Sequence, residues 1–333
     1  MATGPVMERI LDETFSLWGD GLTREAYARF NAAQMKTRWG AAHLHRIALV
    51  DGGQLLCTAK RYDLAGWLHG RRVRILGIGA VFTPPPLRGR GYARTLIEEM
   101  LRVAQEEEIE LALLFSEIGP KYYERIGFLP VRIPDALLTV DVKPGAPAML
   151  VRSGGERDYP EIAAMHALRA EGYEFALDRS VDYLAYAVSK KRLAAGLGPS
   201  GRRAVQFFAA EEGGRAVAYL LMTVSGGHPQ GNGGVGKRAP LVPPEYWIIE
   251  DCGDRDPTGA RLGAMLQVLL ARMPGERPPT IVGWLPGGFR PPQISAVTEV
   301  ASSSVMMMRW TGQQIDPLPL EPEKLLYWRG DAF

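Results

Sequence analysis

A long apolar run followed by a glycine- and arginine-containing turn and an amphipathic helix constrains the fold of this chain more than any other feature. The run Val73–Thr83, VRILGIGAVFT, is rich in β-branched residues and ends at three prolines, as expected for a strand buried on both faces. After RGRGYA, apolar residues recur at helical spacing over Ala93–Ala104. Leu111–Ser116, LALLFS, then resembles a short buried strand. The sequence therefore predicts a β-α-β unit with parallel strands.

The second half of the sequence follows the same order of elements without sharing the motif. Residues 205–224 predict a hairpin like the one at 47–59, residues 262–270 a helix, and residues 280–284 a further strand. With 333 residues, the chain has the length of about two ordinary domains. We therefore predict two related α/β units, residues 1–150 and residues 151–333.

Charge and composition exclude several functional classes. Thirty-nine Lys and Arg residues against 37 Asp and Glu residues leave a formal net charge of +2, and we expect no nucleic-acid partner. The two cysteines, Cys57 and Cys252, lack metal-ligand spacing, so we expect neither a metal site nor a disulfide framework. No apolar run reaches the length of a membrane span and no signal peptide is evident, which predicts a cytoplasmic protein without a membrane partner. Nothing in the sequence specifies an oligomeric state.

The turn between the strand and the helix has the composition of an anion site. The first N–H groups of a helix have no intrahelical partner and lie at the positive end of its dipole. Gly89 and Gly91 lack Cβ atoms, so a phosphate can approach the backbone closely, and Arg88, Arg90 and Arg94 add local positive charge. We predict a diphosphate site here. A solvated turn without a ligand is the alternative.

The same residues resemble a known superfamily. Residues 88–93, RGRGYA, are similar to the R/Q-x-x-G-x-G/A signature of the GCN5-related N-acetyltransferases (GNAT), and residues 122–128, YYERIGF, are similar to the Y-E-R/K-x-G-F landmark of that superfamily. The wider N-terminal pattern also resembles the fungal lysine N-acetyltransferases. The resemblance implies an α/β fold of the α+β GNAT type with two tandem GNAT-like units. Each unit would have a mixed, mostly antiparallel central sheet flanked by helices, and residues 1–150 would be the catalytic, acetyl-CoA-binding domain.

Carboxylates occupy the matching place in the second half. Glu250, Asp251, Asp254 and Asp256 would repel a phosphate, so we expect residues 151–333 to form a degenerate GNAT-like domain that binds no coenzyme A. This resembles tandem GNAT proteins such as the enhanced-intracellular-survival type, although the residues after Trp310 are too few for the third domain of that type. We interpret the four carboxylates as a solvated loop. A cluster that attracts a cationic amine is the alternative.

The resemblance implies an N-acetyltransferase that transfers acetyl from acetyl-CoA to a primary amine of a small molecule, an amino acid or a lysine, by direct attack in a ternary complex. Negative charge then develops on the thioester oxygen, and the superfamily stabilises it with a backbone N–H that corresponds here to Ala80, Val81 or Phe82. Tyr123 is the implied general acid for the departing thiolate. A non-catalytic acyl-CoA-binding regulatory module is the alternative.

The resemblance also assigns the residues that contact coenzyme A. These are Val81, Phe82, Thr83, Arg88, Gly89, Arg90, Gly91, Tyr92, Ala93, Arg94, Ser116 and Tyr122. Tyr122 is also a candidate for a packing role beside Tyr123, and Ser116 for a structural role at a strand end. No metal cofactor is implied.

The base that accepts the proton of the amine has no motif. Glu117, a water chain and a group from the second half are candidates. The aromatic tail Leu325–Phe333 resembles the segment that reaches the active site in several tandem acyltransferases, so the α-carboxylate of Phe333 is also a candidate. Ordinary docking of this tail is the alternative. The acceptor-binding loops are expected within residues 20–40, 60–72, 165–190 and 225–245.

Overall fold

Two mixed sheets flanked by helices make up the fold. The computed structural model describes residues 2, 4–141, 147–199, 202–226, 245–273, 278–302, 304–313 and 317–333. Across these residues, no helix is both long enough and apolar enough to cross a membrane. The predicted mixed, mostly antiparallel sheets are confirmed.

The helices and strands have the following bounds. The helices are α1 (Pro5–Trp18), α2 (Arg24–Lys36), α3 (Arg38–His43), α4 (Tyr92–Glu106), α5 (Lys121–Glu124), α6 (Tyr159–Ala170), α7 (Val181–Leu197) and α8 (Ala260–Ala271). The strands are β1 (Leu44–Asp51), β2 (Gln54–Leu68), β3 (Arg71–Phe82), β4 (Leu111–Ser116), β5 (Leu129–Val131), β6 (Asp135–Val140), β7 (Val151–Ser153), β8 (Phe175–Leu177), β9 (Arg203–Glu212), β10 (Arg215–Gly226), β11 (Glu245–Asp254), β12 (Thr280–Gly283), β13 (Ile294–Val300), β14 (Val305–Trp310) and β15 (Leu325–Leu326).

The first sheet has the strand order β15-β8-β2-β3-β4-β14-β5, with β1 also paired to β2. Strands β3 and β4 run parallel and are joined by α4, while β2 and β3 form a long antiparallel pair. The second sheet has the order β13-β6-β12-β11-β10-β9-β7. In this sheet, β11 and β12 run parallel and are joined by α8. Each sheet thus contains a β-α-β unit next to an antiparallel hairpin.

Each sheet contains strands from both halves of the chain: β8, β14 and β15 lie in the first sheet, and β6 lies in the second. After β5, the chain leaves the first sheet, and β6 pairs with β12 and β13 of the second. After β13, the chain leaves the second sheet, and β14 pairs with β4 and β5 of the first. The first sheet therefore contains a strand from residues 305–310, and neither sheet is complete without the other half of the chain.

Helices cover both faces of the first sheet. On one face, the apolar stripe of α4 packs on β2, β3 and β4, with Ile97 and Ala104 fully buried. On the other face, α7 and the C-terminal residues pack over Tyr62 of β2, with Tyr183 and Tyr186 in the same core cluster. The predicted site residues are divided between these two faces of the sheet, because successive side chains of a strand point to opposite faces.

Candidate active site

A β-bulge interrupts the central strand β3 near its end. Thr58 pairs with Phe82 and Lys60 pairs with Gly79, so Ala80 and Val81 lie opposite one residue of β2. Ala80 has a φ of 48°, a left-handed conformation that non-glycine residues rarely adopt. The parallel pairing of β3 with β4 ends before the bulge, at Ile78 and Leu114. The predicted oxyanion donors, the N–H groups of residues 80–82, thus lie where the regular ladder is broken.

The turn that follows β3 is open at its two glycines. Gly89 has a φ of 79° and Gly91 a φ of 84°, and a Cβ atom on either residue would meet no atom within 4 Å. No side chain caps α4 at Gly91. In the part of the chain that the structure describes, no hydrogen bond uses the backbone N–H groups of residues 89–94. These groups can therefore bind an anion.

The three arginines of the turn have different surroundings. The Nε of Arg88 donates to the carbonyl oxygen of Thr83 at 3.2 Å and so holds the turn against the strand end. Arg94 forms an ion pair with Glu98 one helical turn away, at 2.7 Å. Arg90 is exposed and forms no ion pair with any residue that the structure describes. Its guanidinium is the freest of the three to contact a phosphate.

The matching turn of the second sheet is filled by the chain itself. Helix α8 also begins after a left-handed glycine, Gly259, with a φ of 77°. A carboxylate oxygen of Asp254, however, accepts a hydrogen bond from the N–H of Leu262 in the first turn of α8, at 2.9 Å. The ring of Phe289 lies 2.7 Å from the position of a Cβ on Gly259. A phosphate would have to displace both groups, which supports the expected loss of anion binding here.

The interpretation of the acidic residues as a solvated loop is wrong for Glu250, Asp251 and Asp254, whereas Asp256 lies in the turn before α8 and is partly exposed. Glu250 and Asp251 lie in β11 and are buried. Glu250 forms an ion pair with Lys191 at 2.8 Å and accepts a hydrogen bond from the Thr223 hydroxyl at 2.7 Å. Asp254 is also buried. Buried carboxylates need such partners because burial without them is costly.

Tyr123 lies in the short helix α5 on the α4 face of the first sheet. It shares one apolar cluster with Val81, Tyr92, Ala93 and Tyr122, so the structure brings these five predicted residues together. Burial raises the pKa of the Tyr123 phenol to about 12. None of the described residues forms a hydrogen bond with its hydroxyl, and no hydrogen bond is among the causes of its pKa shift. A buried phenol that stays protonated is suited to donate a proton to a ligand.

Three other predicted residues have local partners. Ser116 is buried, and its hydroxyl donates to the carbonyl oxygen of Gly119 at 2.6 Å, which closes the turn before α5. The Thr83 hydroxyl donates to the Cys57 sulfur at 3.5 Å. Tyr122 is half buried and makes an edge contact with the Tyr123 ring at 5.0 Å between centroids. The contact of these three residues with coenzyme A stays a prediction.

Phe333 lies on the opposite face of β3. Its carbonyl oxygen is 3.2 Å from the position of a Cβ on Gly79, the residue just before the bulge. Its ring packs between Tyr62 and Phe115, with centroid distances of 4.5 and 5.2 Å. Lys190 of α7 donates a hydrogen bond to the carbonyl oxygen of Ala332 at 3.2 Å. The last residue of the sequence is thus seated over the strand that carries the bulge.

A buried ionic network holds the tail in this position. The Asp331 carboxylate accepts hydrogen bonds from the N–H of Trp328 and from the hydroxyl of Tyr183, at 3.1 and 3.2 Å. The Nε of Arg179 lies 3.3 Å from the same carboxylate. Arg179 also forms an ion pair with Asp251 of β11. The tail is therefore tied to the second sheet, and no sequence motif marks this network.

A cavity of about 260 Å³ adjoins the tail between the two sheets. Its lining combines aromatic residues with charged ones; it includes Phe115, Glu117, Asp135, Lys191, Glu250, Trp284, Tyr327, Arg329 and Ala332. Two of its carboxylates are paired, Asp135 with Arg329 at 2.6 Å and Glu250 with Lys191. All of these residues lie outside the segments predicted to bind the acceptor, of which residues 227–244 are outside the described residues.

Comparison with known proteins finds a family match in the first part of the chain. The sequence model described as "Acetyltransferase (GNAT) domain" matches residues 5–131. This part of the chain is therefore similar to GNAT acetyltransferase domains. The matched part ends with β5. Strand β14, which lies between β4 and β5, comes from beyond the matched residues.

Solved structures share the fold of this chain. A conserved protein of unknown function from Enterococcus faecalis V583, described as a probable N-acyltransferase, is 15% identical with a TM-score of 0.63, over 92% of this chain and 70% of that chain. A GCN5-related N-acetyltransferase from Anabaena variabilis is 14% identical with a TM-score of 0.61, over 93% and 72%. A GCN5-related N-acetyltransferase from Kribbella flavida is 15% identical with a TM-score of 0.56, over 92% and 69%. The predicted GNAT-type fold is confirmed, and no curated protein sequence matches the chain.

The described part of the chain contains no group of three or more His, Cys, Asp or Glu side chains arranged to hold a metal ion. Both cysteines, Cys57 and Cys252, are buried and free. Burial raises the pKa of each thiol, so neither is in the thiolate form that a nucleophile or a metal ligand needs.

Proposed function

We propose that the enzyme transfers an acetyl group from acetyl-CoA to the primary amine of a small molecule, an amino acid or a lysine, within a ternary complex. The observation that carries the proposal is the position of Phe333 over Gly79, directly beside the bulge at Ala80. The open glycine turn and Tyr123 lie on the side of the same strand that α4 covers. In this proposal, residues 1–150 bind acetyl-CoA, and residues 151–333 form the degenerate unit that positions the tail.

In this proposal, the turn after β3 binds coenzyme A. A diphosphate would accept hydrogen bonds from the free N–H groups of residues 89–94, with Arg90 as a further contact. The bulge supports a role for residues 81–83 beside the pantetheine arm, because it leaves backbone groups without partners in the ladder. When bound, acetyl-CoA supplies the acetyl group as a thioester.

At the reacting centre, different groups would stabilise the negative charge and donate the proton. The N–H groups of Ala80, Val81 and Phe82 would stabilise negative charge on the thioester oxygen. Tyr123 would donate its proton to the departing thiolate, and its pKa of about 12 keeps the phenol protonated at neutral pH. These roles need no charged side chain in the apolar cluster around Tyr123.

The amine must also lose a proton before or during its attack. A free alkyl amine has a pKa near 10.4 and is protonated at neutral pH. In our proposal, the α-carboxylate of Phe333 accepts this proton, because its backbone lies beside the bulge. Glu117 is the second candidate. It lines the tail-side cavity and forms no ion pair with the residues that the structure describes.

The cavity beside the tail supports binding of a cationic acceptor. Asp135 and Glu250 are neutralised by Arg329 and Lys191, which leaves Glu117 as the uncompensated carboxylate of the lining. Phe115, Trp284 and Tyr327 supply aromatic faces, against which ammonium groups pack favourably. An amine held there would lie next to Ala332 and close to the proposed base.

Release of free coenzyme A thiol in the presence of a panel of primary amines tests the reaction itself. We expect release with at least one amine. Tight binding of acetyl-CoA without release for any amine would instead support the regulatory module and would overturn the proposal.

The proposed base is tested separately by adding one glycine after Phe333. We expect turnover to fall at least about tenfold because the carboxylate is displaced, with unchanged affinity for acetyl-CoA. Glu117→Gln is the matched variant. If Glu117→Gln abolishes turnover and the added glycine does not, Glu117 is the base and the assignment to Phe333 is wrong.

A further inference from the structure

A second cavity of about 470 Å³ lies between α1, α2 and the β1–β2 hairpin, away from the tail-side cavity. Its walls are largely apolar; they include Met7, Leu11, Ala28, Ala32, Met35 and Leu44. It shares no lining residue with the cavity beside the tail. A largely apolar cavity with a few polar groups has the composition typical of small-molecule sites.

Two cationic side chains of the sheet lie in the wall of this cavity. Arg46 of β1 and Lys60 of β2 are directly paired across the hairpin, so they lie on the same face. Arg46 is 4% exposed. Its Nη2 donates to the Asn31 side chain at 3.1 Å, whereas its Nη1 is buried without any hydrogen-bond partner. Within the described ranges, the ammonium of Lys60 donates to the Gln34 side-chain oxygen alone, at 3.4 Å.

Among the described residues, neither cation has a carboxylate partner within ion-pairing distance. Burial lowers the pKa of both side chains, and the charge of Arg46 lowers the pKa of Lys60 further. Arg29 and Lys36 add positive charge to the same lining, and its carboxylate, Glu8, is paired with Arg24. An unpaired cation that is buried, as Arg46 is, or half-buried, as Lys60 is, destabilises the fold unless an anion compensates it.

We propose that this cavity binds a monocarboxylate with an apolar body, with the carboxylate on Arg46 and Lys60 and the body along the α1 and α2 side chains. The free Nη1 of Arg46 supplies a charge-assisted hydrogen bond, the strong kind of contact between a guanidinium and a carboxylate. The apolar walls contribute by burial of the hydrocarbon. This site is separate from the acetyl transfer proposed above and does not depend on it.

The test is calorimetric titration of the full chain with octanoate, and with octanamide as the uncharged analogue of the same shape. We expect octanoate to bind roughly ten- to a hundredfold more tightly than octanamide, because only the carboxylate compensates the cations. This comparison uses the unmodified protein. Equal affinities for the two compounds, or no binding of octanoate, would overturn the proposal.

Two variants locate the site. Arg46→Met and Lys60→Met each remove one cation, and we expect each to weaken octanoate binding at least about tenfold without weakening octanamide binding. Arg72→Gln, an exposed arginine on the neighbouring strand β3, is the matched control and should bind octanoate normally. Cooperative unfolding in urea checks that each variant is folded. Unchanged octanoate binding in both folded variants would place the carboxylate elsewhere.

Discussion

The carbonyl carbon of Phe333 lies 3.3 Å from the point that a Cβ atom on Gly79 would occupy. The Phe333 ring is similarly close to Gly77, two residues earlier on the same face of β3. Only glycine allows a backbone and a ring to approach a central strand this closely. The two glycines of β3 therefore form the seat of the last residue, directly before the bulge at Ala80.

The Gly77→Ala substitution tests this seat. A Cβ on Gly77 would lie 2.8 Å from the Phe333 ring and 2.9 Å from the Cβ of Tyr62, so we expect Phe333 to be displaced. Turnover should fall at least about tenfold if the Phe333 carboxylate is the base. Gly155→Ala is the control, because a Cβ on Gly155 meets no atom within 4 Å. Steady-state kinetics with acetyl-CoA binding measured in parallel is the readout. Normal turnover in Gly77→Ala would contradict a catalytic role for Phe333.

The Tyr123→Phe substitution tests the general acid. Loss of the phenolic proton should lower kcat roughly a hundred- to ten-thousandfold, with little change in acetyl-CoA affinity. Tyr122→Phe, which removes the hydroxyl of the adjacent ring, should retain most activity. Because the pKa of Tyr123 is about 12, the remaining pH profile near neutrality should not report its ionisation. A kcat in Tyr123→Phe equal to that of the unmodified enzyme would exclude the assignment.

The elements that hold the anion site were predictable because their patterns are local. Strand β3, helix α4 and strand β4 show a continuous apolar run, a helical stripe and a second apolar run. Helix α7 shows no such pattern, because five of the six residues 183–188 are buried, on several sides of the helix. The periodicity of the sequence therefore does not predict that α7 packs beside the tail.

The pairing of β14 and the ionic network depend on distant partners. Met306–Met308 have an apolar pattern typical of a strand, but nothing local specifies that β14 pairs with β4 rather than with β13. Asp251 has the appearance of a solvated carboxylate in the sequence. Its partner Arg179 lies 72 positions away, and only the fold brings the two together. The prediction that this carboxylate is solvated is wrong because burial depends on the tertiary structure.

Arg179→Met tests the network that holds the tail. The substitution leaves Asp251 and Asp331 buried without their shared cation, and we expect the free energy of unfolding to fall by about 3–5 kcal/mol. Urea unfolding at neutral pH measures this. Arg72→Gln removes an exposed ion pair with Asp178 and should cost less than about 1 kcal/mol. A similarly small effect in Arg179→Met would show that the network contributes little to stability.

His166 should make the stability of the enzyme depend on pH. Its Nε2 donates to the carbonyl oxygen of Leu177 at 2.8 Å and its Nδ1 is buried without a partner. Burial, with the nearby charge of Arg179, lowers the pKa of the imidazole to about 3. The unfolded chain binds this proton near pH 6.5, so the stabilisation is complete above that pH and is lost as pH falls toward about 3.

The expected slope from His166 is about 1.4 kcal/mol per pH unit below its unfolded pKa. Unfolding in urea at about pH 7 and about pH 5 measures it, and His166→Gln serves as the comparison because the glutamine amide can still donate to the Leu177 carbonyl. All other titrating groups are common to the two proteins, so the difference between their slopes isolates the imidazole. We expect the variant to lose less stability than the unmodified enzyme on acidification. Equal losses would mean that His166 is protonated in the folded state, with its charge accommodated beside Arg179.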